Sequence, residues 1–121
     1  MRAVFDTNIL VDILQGIPQA RAELARYSQP SASVISWIEL MVGARAIHDE
    51  APARRLLERI EIRPLTTEVA EHAVNSRLGT RLKLPDAIIW ATARATNSAL
   101  VTRNTKDFPA NDPMIRVPYT V

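Results

Sequence analysis

Arg2-Ala3-Val4-Phe5-Asp6-Thr7-Asn8 is the stretch on which the reading of this chain turns. The apolar run through Val4 and Phe5 has the composition of a short buried strand, and it ends on a carboxylate. Open α/β sheets place their chemistry at the carboxyl ends of parallel strands, so an acid in this place predicts a site and points to a metal.

Working outward, residues 32–35, 61–64, 99–102 and 115–117 share the β-type character of residues 2–5. Helical patterns fall between them over residues 9–14, 18–26, 38–46, 53–60, 67–78 and 86–96. That alternation predicts an α/β protein: a central, mostly parallel sheet of about four to five strands covered by helices on both faces. Pro18, Pro85 and Gly79 stand where helix starts and stops are expected. No repeat, linker or shift in composition divides the chain, so one domain is expected over residues 1–121.

Composition narrows the function classes. Apolar residues make up 47% and charged residues 23%, which suits a folded globule rather than a disordered chain. Asp6 and Asp12 flank the apolar segment Ile9-Leu10-Val11, no basic run precedes it, and no segment reaches transmembrane length, so neither a signal peptide nor a membrane protein is expected. Cysteine is absent, which excludes disulfides and thiolate metal sites and suits the cytoplasm. Only Gly16, Gly43 and Gly79 occur, so no Gly-rich loop follows the first strand and nucleotide cofactors lack their phosphate cradle. Gly43 is read as a point of close helix approach.

The formal net charge is +2, but with Asp6, Glu39, Asp86 and Asp107 set aside as one cluster the remainder carries 2 + 4 = +6. Thirteen of the basic residues are Arg and two are Lys, and Arg favours planar bidentate contacts to phosphate, so a polyanionic partner is plausible. The bland reading puts most of these side chains, Arg54, Arg55 and Arg59 among them, on solvated helix faces.

The four acids stand out by position. Asp6 ends the first strand, Asp107 lies beyond the fourth, and Glu39 and Asp86 fall at the first turns of apolar helices. Strand ends and the helix starts that follow them share one edge of a parallel sheet, so the four can converge. Each also has a structural reading. Ser36 with Glu39 makes a capping box, Asp86 after Pro85 favours the helix dipole, and Asp6 and Asp107 can stabilise turns. Jointly they are harder to explain that way, because two carboxylates about 4 Å apart repel by roughly 4 kcal/mol at an effective dielectric near 20. Such a group must hold protons or cations. Oxygen ligands suit hard divalent ions, and with no Cys and no His nearby zinc is disfavoured. His48 and His72 sit on charge-rich helical segments and read as surface or half-buried residues, while Trp37 and Trp90 read as core.

Asp6-Thr7-Asn8, Ser36-x-x-Glu39-Leu40-x-x-Gly43, Leu84-x-Asp86-x-x-Ile89 and Thr102-x-Asn104-x-x-Asp107-Phe108 together resemble the PIN-domain ribonucleases, specifically the VapC toxins of bacterial toxin-antitoxin pairs. The resemblance runs over nearly the whole chain, in order. It implies a PIN-like three-layer α/β/α sandwich and a Mg²⁺- or Mn²⁺-dependent endoribonuclease with one or two ions. It also implies a homodimer silenced by a VapB-type antitoxin in a hetero-oligomer. Carried over by position, Asp6, Asp86 and Asp107 become metal ligands, Glu39 binds a second ion or orients water, and Thr7, Asn8 and Thr102 brace the site. Asn104 departs from the pattern, since many relatives carry Asp at or near this place, and an amide adds no charge for a second ion. Arg77, Arg81, Lys83, Arg103 and Lys106 flank the acidic blocks and are candidates for RNA backbone contacts. With 5% aromatic residues, recognition by base stacking is poorly supported.

Two alternatives remain. An aspartyl-phosphate-type phosphohydrolase also begins with Asp at a strand end, but it wants a second carboxylate where Asn8 stands and gives Glu39 no role. A non-catalytic interaction module of PIN fold has no use for all four acids.

Overall fold

A computed structural model describes residues 2–109 and 111–120. Five strands, β1 (Ala3–Phe5), β2 (Ser31–Ser33), β3 (Glu61–Arg63), β4 (Ala99–Val101) and β5 (Ile115–Arg116), form one sheet in the order β3-β2-β1-β4-β5, with every pairing parallel. Six helices accompany them: α1 (Thr7–Leu14), α2 (Pro18–Ala25), α3 (Val34–Ala46), α4 (Ala51–Leu57), α5 (Thr67–Gly79) and α6 (Leu84–Ala95). Among the described residues no helix is long and apolar enough to cross a membrane.

Strand alternation divides the core. Side chains of a strand point to opposite faces in turn, so Ala3 and Phe5 join the core under α1 to α4 while Val4, between them, joins the core under α6. β4 behaves the same way, with Val101 on the first face and Leu100 on the second. The strands are two or three residues long, and the adjacent β1 and β4 are apolar and buried throughout, as expected of the middle of a sheet covered on both faces. α5 packs on α6 as an outer hairpin, and Val69 and Ala73 meet Ala91 there.

The strand order sets the position of the site. From β1 the chain moves outward to β2 and β3, then returns past β1 to β4 and β5, so β1 and β4 flank a topological switch point, where α/β sheets open a crevice at their carboxyl ends. Asp6 leaves β1 there and Thr102 leaves β4 there, and the Asp6 amide donates to Val101 O at 2.9 Å.

Four expectations need correction. The helix expected over 38–46 begins at Val34, because β2 ends at Ser33 and the Ser33 hydroxyl caps the helix by accepting from Ile35 N at 3.0 Å. Ser36 is therefore buried inside α3 and no capping box forms with Glu39, which lies past the first turn. Gly43 mediates no close approach, since a Cβ built there meets nothing within 4 Å. α6 follows α5 and not a strand, so Asp86 reaches the sheet edge at the start of a returning helix. Trp90 is core, edge-on to Phe108 with ring centroids 6.0 Å apart, and the half-buried Trp37 packs against the other core. His48 is exposed and His72 half-buried.

Leu100 is fully buried beside the switch point. Leu100→Ala is expected to lower the unfolding free energy by about 2–5 kcal/mol, measured by urea denaturation, because the central strand cannot collapse into the cavity.

Candidate functional site

Asp6 is the N-cap of α1 and ends β1 at the same time. Its Oδ1 accepts from Thr7 N at 2.8 Å, and its Oδ2 accepts from the Thr102 hydroxyl at 2.8 Å and from Asn8 Nδ2 at 3.3 Å. A capping residue needs a short polar side chain, and this one is 4% exposed, so the cap is a buried carboxylate held by groups from α1 and the exit of β4.

Burial pushes the Asp6 carboxyl up to about 6, with the hydrogen bonds from Thr102 and Thr7 opposing the shift and the charges of Asp86 and Glu39 adding to it. Asp86 is also raised, chiefly by burial and then by Glu39 and Asp107, with Lys83 opposing. The four acids expected to converge are thus one electrostatic unit in which Asp6 is buried, Asp86 half-buried, and Glu39 and Asp107 exposed.

Thr7 bonds Asp6 through its backbone amide, while its side chain reaches across to α3. Its hydroxyl donates to Glu39 Oε1 at 2.7 Å and lies 2.8 Å from Ser36 Oγ. Ser36 and Glu39 meet one threonine because residues three apart share a helix face. Asn8 ties α1 to the exit of β4: its Oδ1 accepts from Arg103 N at 3.3 Å and its Nδ2 lies 3.4 Å from Thr102 Oγ1. Thr102 is wholly buried and also accepts from Asn104 N at 2.9 Å. Asn104 in turn brackets Asp107, accepting from its amide at 3.1 Å and donating to its Oδ2 at 3.0 Å. The amide that departs from the expected pattern therefore holds an acid in place.

The expected cationic residues separate. Arg77, Arg81, Lys83 and Lys106 are exposed, and Lys83 stands at the N-cap position of α6, without a side-chain cap bond, three residues before Asp86. Arg103 is half-buried and spends its guanidinium on Asp12, with Nε to Oδ2 at 2.6 Å and Nη2 to Oδ1 at 3.1 Å. That pairing went unread in the sequence: an acid inside the apolar run Ile9 to Leu14 signals that a buried partner is needed, but not which residue supplies it.

The donors are all oxygen, which suits a hard divalent cation, and such an ion would offset both the burial of Asp6 and the repulsion it receives from Asp86 and Glu39. Among the described residues no three Asp, Glu or His side chains already stand in an arrangement that holds a metal ion. Mg²⁺ needs no such group: it takes one or two carboxylates and keeps several waters, so Asp6 and Asp86 could hold one.

Next to this edge lies a groove of about 410 Å³ between α1, α3 and α4, lined by Val11, Leu14, Leu40, Ala44 and Ile47 and bounded by Glu39. Gly43 keeps it open by placing no side chain in it.

Residues 3–112 match the PIN domain family model. No curated protein matches the chain by sequence. A chain of a toxin-antitoxin complex from Klebsiella pneumoniae is similar in structure with a TM-score of 0.91 and 43% identity, over 98% of this chain and 99% of that one. A chain of DNA-bound VapBC from Salmonella typhimurium has a TM-score of 0.76 and 26% identity, over 96% of each chain. One of VapBC2 from Rickettsia felis, bound to a promoter DNA fragment, has a TM-score of 0.79 and 22% identity, over 88% of this chain and 90% of that one, and bears on the fold alone.

The unfolded Asp6 carboxyl ionises near 3.8 and the folded one near 6, so between those values the fold holds more proton and loses stability as pH rises. The penalty is absent below the lower value and complete above the upper, where it reaches about 3 kcal/mol. In chelator, Asp6→Asn is expected to remove this slope: relative to wild type the variant gains up to about 3 kcal/mol between pH 4 and pH 7, read by urea unfolding. An equal difference at both pH values would show that burial of this carboxylate is not the source.

Proposed function

The chain belongs to the PIN-domain family, and from that premise we propose that it is a VapC-type toxin that hydrolyses RNA phosphodiesters with Mg²⁺ or Mn²⁺. The observation that carries the proposal is the buried Asp6 carboxylate at the switch point, pushed up to about 6 by burial with Asp86 and Glu39 adding to the shift. A fold that buries an acid among acids gains nothing in stability, whereas a cation site needs that arrangement.

A bound divalent ion supplies an activated water and neutralises charge developing on the phosphate. The residues of the chain do the rest. Asp6 is held by Thr7 N and Thr102, and with its remaining lone pairs it would hold the cation together with Asp86 at the start of α6. Glu39, oriented by Thr7, and Asp107, oriented by Asn104, are placed to accept protons from water in the pocket. No side-chain nucleophile is needed. Arg77, Arg81, Lys83 and Lys106 stay exposed for backbone phosphates, and the Asp12 fork removes Arg103 from that set.

The apolar groove beside Glu39 supports the second half of the reading, an antitoxin segment that lays an apolar face there and carries a cation to the pocket. The similar solved structures are toxin-antitoxin complexes, which supports a partner of this kind. A homodimer belongs to the same reading.

The phosphohydrolase alternative loses ground because Asn8 is spent on Asp6, Thr102 and Arg103 N and leaves no general acid at that position.

Purified chain with Mg²⁺ or Mn²⁺ is expected to cut RNA endonucleolytically, to stop in chelator, and to leave a phosphomonoester untouched. Asp6→Asn and Asp86→Asn are each expected to lower the rate at least about 100-fold, since each removes a charge aimed at the ion. Full metal-dependent cleavage by either variant overturns the mechanism.

A further inference from the structure

Asp12 is 3% exposed and takes no part in the acidic pocket, yet it lies on the helix that Asp6 caps. Besides the fork from Arg103, its Oδ2 accepts from the Tyr119 hydroxyl at 2.7 Å. The three partners come from α1, from the residue after Thr102, and from the segment beyond β5.

Stability alone is a weak reason for this cluster. A buried ion pair roughly breaks even against apolar side chains of the same volume, so what it positions is the better guide to its use. The turn that carries Asp107 begins directly after Arg103. Thr102, on one side of Arg103, donates to Asp6, and Asn104, on the other, holds Asp107 by two hydrogen bonds. Arg103 N is itself bonded to Asn8. Residues 103–109 contain no strand or helix, and Asp107 is exposed, so the turn must be ordered by its side-chain anchors. Two anchors enter the protein interior: Phe108, buried against Trp90 just after Asp107, and the Arg103 fork, which fixes the start of the turn.

We propose that Asp12 is a positioning residue for the acidic site: with Tyr119 it clamps Arg103, and the clamp holds the turn that presents Asp107 to Asp6, Asp86 and Glu39. The proposal rests on the reading of that pocket as a divalent-cation site for RNA cleavage. Asp12 touches neither substrate nor ion; it acts through Arg103 and Asp107. Partners bonded directly to a metal ligand commonly change affinity or activity by about 10- to 100-fold when lost, and Asp12 acts from farther out, so that range is the upper bound of the effect.

The test uses the full chain, with Mn²⁺ affinity measured by electron paramagnetic resonance and RNA cleavage measured across a Mg²⁺ titration. Asp12→Asn is expected to weaken Mn²⁺ binding several-fold, up to about 10-fold, with most of the cleavage rate recovered at saturating Mg²⁺. Tyr119→Phe, which removes one hydroxyl and leaves the ion pair, is expected to give a smaller shift in the same direction and serves alone should Asp12→Asn fail to fold. In an Asp107→Asn background neither change is expected to weaken metal binding further, whereas a general loss of structure would add to that variant's defect. Wild-type Mn²⁺ affinity in a folded clamp variant, or additive losses in the double variants, overturns the proposal. Wild-type chain that binds Mn²⁺ but cuts no RNA refutes the nuclease reading while the affinity comparison still judges the clamp. Wild-type chain that does neither overturns both.

Discussion

A carboxylate at the exit of the central strand is the constraint around which the rest is arranged. Asp6 must be short and polar to cap α1, and its place between β1 and β4 buries it. Once buried it demands donors, which arrive from Thr7, Asn8 and Thr102, and it resists ionisation chiefly because of that burial, with the charges of Asp86 and Glu39 adding to the effect. An isolated negative charge in that position would destabilise the fold at neutral pH, so a cation is the physically economical complement.

Three of the four acids of the pocket are each oriented by a neutral polar side chain rather than by a cation. Thr102 and Asn8 serve Asp6, Thr7 serves Glu39, and Asn104 serves Asp107. An Arg or Lys locked onto these carboxylates would occupy the lone pairs an ion needs. The strong charge-assisted contacts are kept elsewhere, in the Asp12–Arg103 fork and in the Glu23–Arg116 fork, whose Nε lies 2.6 Å from Glu23 Oε2. Lys83 is the exception near the pocket, and it acts on Asp86 through space rather than by a bond.

The groove beside Glu39 and the pocket itself share α3, and that shared helix is what lets a partner bound in one reach the other. Leu40 and Ala44 line the groove from the same helix that carries Glu39, while Gly43 leaves the space open. A partner helix or strand seated there needs only one long basic side chain to enter the acidic pocket.

By itself the sequence determined the class of fold and singled out the four acids, because these depend on local signals: apolar runs of strand length, helical periodicity, and acids at the breaks between them. It misjudged the start of α3, because Ser33 and Ser36 are both competent caps and only the pairing of β2 with β1 and β3 decides where the strand stops. It also left Arg103 among the free cations and gave Asp12 no role. Their pairing joins residues 91 positions apart in the chain, and no local rule reports a contact made only when β4 is laid beside β1. Tertiary structure alone decided which acid is buried, which polar side chains hold it, and which charges are spent on one another, since burial and proximity are properties of the packed sheet and not of any segment within it.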